Sequence, residues 1–233
     1  MGERSDRYLA SFNRIEKALR NQTGHDEYKT FSFLVKESAK KNAAVRRFEN
    51  DLREFADLRN AIVHQSTNPE FTIAEPHEST VQKIELIEEK VIHPKKVFPT
   101  FQKEVATFQS TDSLATILRT MREEDYTQFP VYDGEQFIGL LSESGIANWL
   151  SRMVEEEIIS FEETVLHQVI DYEEEKHNFE FIDREMSIYD AKEIFKDNLD
   201  DGIKIDALLI THSGSMDEKL LGIVTRWDFL RIQ

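Results

Sequence analysis

The chain contains no cysteine. That excludes disulfide cross-links, thiolate nucleophiles and cysteine-based metal sites, and it fits a cytoplasmic setting. Long hydrophobic runs are also missing, so no segment is expected to span a membrane as a helix, which needs roughly eighteen apolar residues or more. Residues 1–10 are polar and mixed in charge, without the apolar stretch of a secretory signal. His25, His77, His93, His167, His177 and His212 show no ligand spacing such as His-x3-His, and no metal site is expected. Positive charge is in short supply: 29 Lys and Arg stand against 45 Asp and Glu, for a net charge of −16. The deficit is uneven. Residues 1–64 carry 13 basic and 10 acidic side chains, whereas the remainder carries 16 and 35. A surface that acidic repels polyphosphate and argues against general nucleic-acid binding by the C-terminal part, an objection that does not touch the first quarter.

What is present falls into two textures. Up to His64 the apolar residues follow a helical period. Leu9, Phe12, Ile15 and Leu19 form one stripe, Phe31, Leu34 and Val35 a second, and Phe48, Leu52, Phe55, Leu58 and Ile62 a third. Asn21 to Gly24 breaks the first from the second. A polar loop with Pro69 and Pro76 precedes a fourth helix over 77–91, with Val81, Ile84, Ile87 and Val91 on one face. Pro94 ends it and marks the domain boundary. Beyond it, strands alternate with helices and the pattern occurs twice, over 111–150 and 185–230. Each copy has an amphipathic helix, a strand, a turn, a strand that begins near Gly139 or Gly222, and a further helix. Asp133-Gly134 is the turn signal of the first copy and residues 212–218 are its longer counterpart. One such unit cannot bury both faces of its small sheet, so the copies are expected to pack together. The acidic stretch 155–176 reads as the connector.

Three pieces of text carry a resemblance. Thr127-Gln128-Phe129-Pro130-Val131 opens a strand with Pro-Val. Gly139-Leu140-Leu141-Ser142 and Gly222-Ile223-Val224-Thr225 share a Gly-apolar-apolar-Ser/Thr pattern. Thr225-Arg226-Trp227-Asp228 supplies Thr-x-x-Asp. Together, inside a repeat, they resemble the CBS motif, a βαββα unit that occurs in pairs known as Bateman modules. The resemblance covers about 94–233, with repeats at about 94–154 and 163–233. It implies an α+β fold, an all-α bundle followed by a (βαββα)2 module, with an adenosine ligand in a cleft between the repeats. The ligand could be AMP, ADP or ATP, a cyclic dinucleotide or S-adenosylmethionine. By resemblance Asp228 accepts the ribose hydroxyls, as an acceptor-only carboxylate suits a diol. Thr225 receives phosphate at a helix N-terminus, and Arg226 adds a cation. Thr111, Tyr126, Thr127, Gln128 and Pro130 build the wall from the first repeat. The same Thr-x-x-Asp is also the pattern of a helix capping box that holds no ligand. The second cleft is expected to be weaker, because Gly145 stands where the first repeat should offer a carboxylate. Losing that charge-assisted bond costs about 1.5–3 kcal/mol. Trp149 and Trp227, at equivalent places in the two copies, read as packing residues between repeats or between chains.

In the first quarter, Asp57-Leu58-Arg59-Asn60-Ala61-Ile62-Val63-His64 is similar to the Arg-x4–6-His signature of HEPN domains. These are helical bundles that include metal-independent ribonucleases and inactive relatives. The resemblance covers about residues 8–92, and it implies a dimer with Arg59 and His64 facing a composite cleft. A guanidinium to hold phosphate and an imidazole to act as base suit RNA cleavage. Arg and His in a last helical turn also simply offset the helix dipole.

Three functions follow as expectations. The first is a homodimeric sensor (domains 1–93 and 94–233) in which an adenine nucleotide controls the helical domain or a partner. The second is a nucleotide-gated endoribonuclease that uses Arg59 and His64 on an RNA substrate. The third is a protein-interaction module without catalysis.

Overall fold

The computed structural model describes residues 2–24, 29–64, 74–156 and 158–231. The chain divides into two compact units, Met1–Lys95 with Ser187–Asp190, and Lys96–Met186 with Ala191–Gln233.

In the first unit, α1 (Glu3–Thr23) buries Tyr8, Phe12, Ile15 and Leu19, the stripe set by the helical period, and Gly24 closes it in the left-handed region. Helix α2 (Phe31–Ala39) begins where the Thr30 side chain accepts the Phe33 N–H. A short α3 (Ala43–Arg47), capped by Asn42, precedes α4 (Glu49–His64). At five residues, α3 is too short to show a period. Helix α5 (Glu78–Ile92) starts one residue later than the sequence suggests, because His77 is its N-cap and its side chain accepts the Ser79 N–H. All five helices contribute to one core that holds Tyr8, Leu34, Val45, Leu52, Phe55, Ile84 and Val91. Tyr8 is fully buried, and its hydroxyl donates to the Phe55 carbonyl at 2.7 Å. Burial pushes its phenol pKa upward. Tyr8→Phe removes this buried hydrogen bond and is expected to cost about 0.5–1.5 kcal/mol. Chemical denaturation followed by helical circular dichroism checks this, and an unchanged midpoint would contradict it.

The second unit opens with α6 (Val97–Thr100). The first copy then runs β1 (Phe108–Gln109), α7 (Leu114–Glu124), β2 (Gln128–Asp133), β3 (Gln136–Ser142) and α8 (Glu143–Arg152). After α9 (Leu166–Ile170), the second copy runs β4 (Phe179–Asp183), α10 (Ile188–Asp200), β5 (Ala207–Thr211), β6 (Gly222–Val224) and a 3-10 turn at Asp228–Leu230. The two sheets have the same topology. In each the first strand is parallel to the second and the third is antiparallel to it. The helix expected at the end of the second copy is only this 3-10 turn.

Strand β5 shows how the copies join. All five of its residues are buried, which explains why Ala207-Leu208-Leu209-Ile210-Thr211 has no polar alternation: the sheet is covered on both faces. Leu208 and Ile210 enter the core of the second copy, whereas Ala207 and Leu209 face a core shared with Phe137 and Leu140 of the first. That is the period-two geometry of a strand. The acidic stretch 155–176 is more than a connector, because Leu166 and Val169 are fully buried in the core of the first copy. Gly222 is set by close approach, since a Cβ there would lie 2.4 Å from the Phe101 carbonyl oxygen. Backbone cannot withdraw as a side-chain tip can, so Gly222→Ala is expected to destabilise this unit by about 1–3 kcal/mol. A urea midpoint equal to wild type would contradict that.

Candidate functional site

The parallel pairing of β1 with β2 decides which residues meet. Residues before β1 and residues before β2 fall at one end of the first sheet. At that end a cavity of about 430 Å³ opens, within the range of small-ligand sites. Three segments line it. Lys103, Glu104, Val105 and Ala106 precede β1. Glu124, Asp125, Tyr126, Thr127 and Gln128 join α7 to β2. Ile223, Thr225, Trp227, Asp228 and Arg231 come from β6 and the turn after it. Tyr126, Thr127 and Gln128 of the first copy therefore share one cavity with Thr225 and Asp228 of the second.

The Asp228 carboxylate is half-buried. Its Oδ2 accepts the Thr225 N–H at 2.7 Å and the Thr225 hydroxyl at 2.9 Å. This is the backward reach of a capping box, made beside a cavity. Oδ1 has no hydrogen-bond partner among the described residues, so its lone pairs are available for hydroxyl donors. Capping orients the carboxylate while leaving its other oxygen open, so the two roles of Thr-x-x-Asp are compatible here.

Three residues expected at the site do not line it. Thr111 follows β1 rather than preceding it, so it lies at the other end of the sheet, where its neighbour Ser110 donates to the Tyr132 carbonyl at 2.7 Å. Thr111 is also not the cap of α7, which is Ser113. Pro130 is buried inside β2. Arg226 is exposed in the turn, and Arg231 supplies the cation instead. Lys103 is the second cation, with its Nζ 5.9 Å from the centre of the Tyr126 ring. Neither Lys103 nor Arg231 belongs to a recognisable motif, and only the fold brings them in. Trp149 is buried in the core of the first copy, as a packing residue should be. Trp227 is 71% exposed and lines the cavity, so within the chain it is no packing counterpart of Trp149.

The CBS domain family matches the chain at residues 100–152 and 171–233. The C-terminal unit is a pair of CBS domains. Solved structures similar to this CBS pair include three with low sequence identity. The CBS domain of a CBS-domain-containing membrane protein from Sphaerobacter thermophilus is 18% identical, with a TM-score of 0.49 over 67% of this chain and 98% of that one. CBSX2 in complex with AMP is 16% identical, with a TM-score of 0.42 over 59% and 94%. The CBS domain pair of MJ0100, in complex with 5′-methylthioadenosine and S-adenosyl-L-methionine, is 13% identical, with a TM-score of 0.44 over 60% and 95%. No match is found among curated proteins.

Outside the CBS pair, Arg59 and His64 both lie on α4, where regular geometry sets them about 140° apart around the axis. Arg59 is half-buried and its Nη1 donates to Asn60 Oδ1 at 3.3 Å. The His64 side chain, like His25 and Pro69, lies outside the described residues. Among the described residues, no helix is long and apolar enough to cross a membrane.

Proposed function

We propose that the CBS pair is a regulatory module that takes an adenosine ligand in the cavity beside Asp228 and so controls the N-terminal helical unit or a partner of it. The observation that carries this reading is the open Oδ1 of Asp228 in a cavity of about 430 Å³ whose other wall is Tyr126, Thr127 and Gln128. In the proposed complex Asp228 accepts the ribose hydroxyls and the indole of Trp227 covers an exposed ring face. The adenine edge meets backbone groups of residues 126–128. Binding is regulatory only if the two states of the module differ in affinity for the ligand.

The charges lining the cavity narrow the ligand class. Four carboxylates, Glu104, Glu124, Asp125 and Asp228, outnumber the two cations, Lys103 and Arg231. Each phosphate beyond the first adds charge that this lining repels. The ligand is therefore an adenosine bearing one phosphate or a cationic group, such as AMP or a sulfonium nucleoside, in preference to ATP. Calorimetric titration at low ionic strength is the test. AMP or S-adenosylmethionine is expected to bind more tightly than ATP, with the gap closing as salt is added. Tighter binding of ATP would reverse the assignment of ligand class, and no binding of any adenosine compound would overturn the function.

A further inference from the structure

The turn after β3 repeats the turn after β6, with one difference. Ser142 corresponds to Thr225, and Gly145 stands three residues on, where Asp228 stands in the second copy. Yet Ser142 has a carboxylate partner. Its N–H donates to Glu173 Oε1 at 2.5 Å and its hydroxyl to Glu173 Oε2 at 2.9 Å. These are the two bonds that Thr225 gives Asp228, now given to a side chain 31 residues away. The glycine makes them possible, because a Cβ at Gly145 would lie 1.9 Å from Glu173 Oε1.

We propose that Glu173 occupies the second nucleotide cleft of the CBS pair as an internal ligand, standing in for the missing carboxylate. The module then has one open site and one site filled by its own chain. This rests on the reading of the Asp228 cavity given above. The surroundings fit a filled cleft. Asn178, 2% exposed, donates through Nδ2 to Glu173 Oε2 at 3.3 Å, to Asp206 Oδ2 at 3.1 Å and to the Leu140 carbonyl at 3.2 Å. Lys204 reaches Ser144 Oγ at 3.4 Å and Asp206 Oδ1 at 3.7 Å. Residues 204–206 occupy the place in the second copy that residues 125–127 hold in the first. Through Lys204 this segment is tied across to the turn after β3. Burial raises the Glu173 carboxyl pKa, against the lowering effect of the two Ser142 bonds, with Asp206 adding to the rise and Lys204 opposing it.

The test uses AMP and the full chain. By calorimetry, wild type is expected to bind one AMP per chain. The double variant Glu173→Ala/Gly145→Asp, which removes the internal ligand and restores Ser-x-x-Asp in place, is expected to bind two. In an Asp228→Ala background, where the first site is weakened about tenfold to a hundredfold, the same double change is expected to add one tight site. A correctly folded double variant that still binds one AMP overturns the proposal and leaves the function intact. A wild type that binds neither AMP nor S-adenosylmethionine overturns the function instead. Two AMP per wild-type chain overturns the proposal directly. Should the double variant not fold, NMR on the wild type decides. The Ser142 amide shift is expected to follow a carboxyl titration centred above the ordinary glutamate range, and Glu173→Gln is expected to abolish it. A Ser142 amide that follows no such titration overturns the proposal.

Discussion

Replacing Asp228 with alanine is expected to remove half or more of the thermal stabilisation that an adenosine ligand gives the wild type. A ligand at a hundredfold excess over its Kd stabilises the folded state by about 2.7 kcal/mol, which corresponds to a rise in Tm of about 5–10 °C for a unit of this size. The carboxylate's bonds to a diol contribute about 1.5–3 kcal/mol of affinity, so the variant should bind roughly tenfold to a hundredfold more weakly. At the same ligand concentration the stabilisation then falls to about 0.4–1.4 kcal/mol, so half or more of the shift disappears. The substitution also removes the bonds from Thr225, so the unliganded variant should melt somewhat lower than wild type, by the about 0.5–2 kcal/mol that a lost cap costs. Asp228→Asn separates the two effects. An amide oxygen still accepts the Thr225 N–H, so capping is largely kept, while the charge that favours hydroxyl donors is gone. A wild-type thermal shift in Asp228→Asn would mean that the carboxylate does not hold the ligand.

The largest stability effect is expected from Phe137→Ala. Phe137 is 5% exposed and makes edge contacts with Tyr132, Phe179 and Phe181 at ring separations of 5.4, 5.0 and 5.1 Å. Two of those rings belong to the second copy. Truncation therefore leaves a cavity on the surface where the copies clasp, at a cost of about 3–5 kcal/mol. Both walls of the Asp228 cavity depend on that clasp, so ligand affinity should fall together with the urea midpoint although Phe137 does not line the cavity. A loss below about 1 kcal/mol would show that the shared core does not hold the copies together.

The order of elements in the CBS pair was legible because its signals are local. A Gly-apolar-apolar-Ser/Thr run, a Pro-Val strand opening and Thr-x-x-Asp each occupy a few adjacent residues. Twofold repetition raised them above chance. Position relative to the sheet was harder to read. Thr111 belongs to the right copy but to the wrong end, because a residue after β1 and one before it differ by a strand length, and only pairing shows which end faces the cavity. Lys103 and Arg231 carry no local signal at all. Stretch 155–176 looked like a connector because its composition is acidic, while the two residues that matter for packing, Leu166 and Val169, are too few to make a period. Glu173 is the clearest case of a contact hidden by sequence distance. One signal did exist: Gly145, where a carboxylate was expected, marks room kept for another group. In the helical unit the stripes were largely legible from period, although Tyr8 rather than Leu9 is the buried residue at the start of the first, and α3 was missed for its length.

One titration addresses the central claim most directly: AMP against 2′-deoxy-AMP, on wild type and on Asp228→Asn. Removing the 2′-hydroxyl takes away one of the donors that the Asp228 carboxylate is assigned to accept, and changes neither the base nor the phosphate. Wild type is expected to prefer AMP by about tenfold, the worth of a charge-assisted hydrogen bond, and the variant to bind the two nucleotides alike. Equal binding of both by wild type, or a preference that survives in Asp228→Asn, would contradict the assignment of this carboxylate to the ribose.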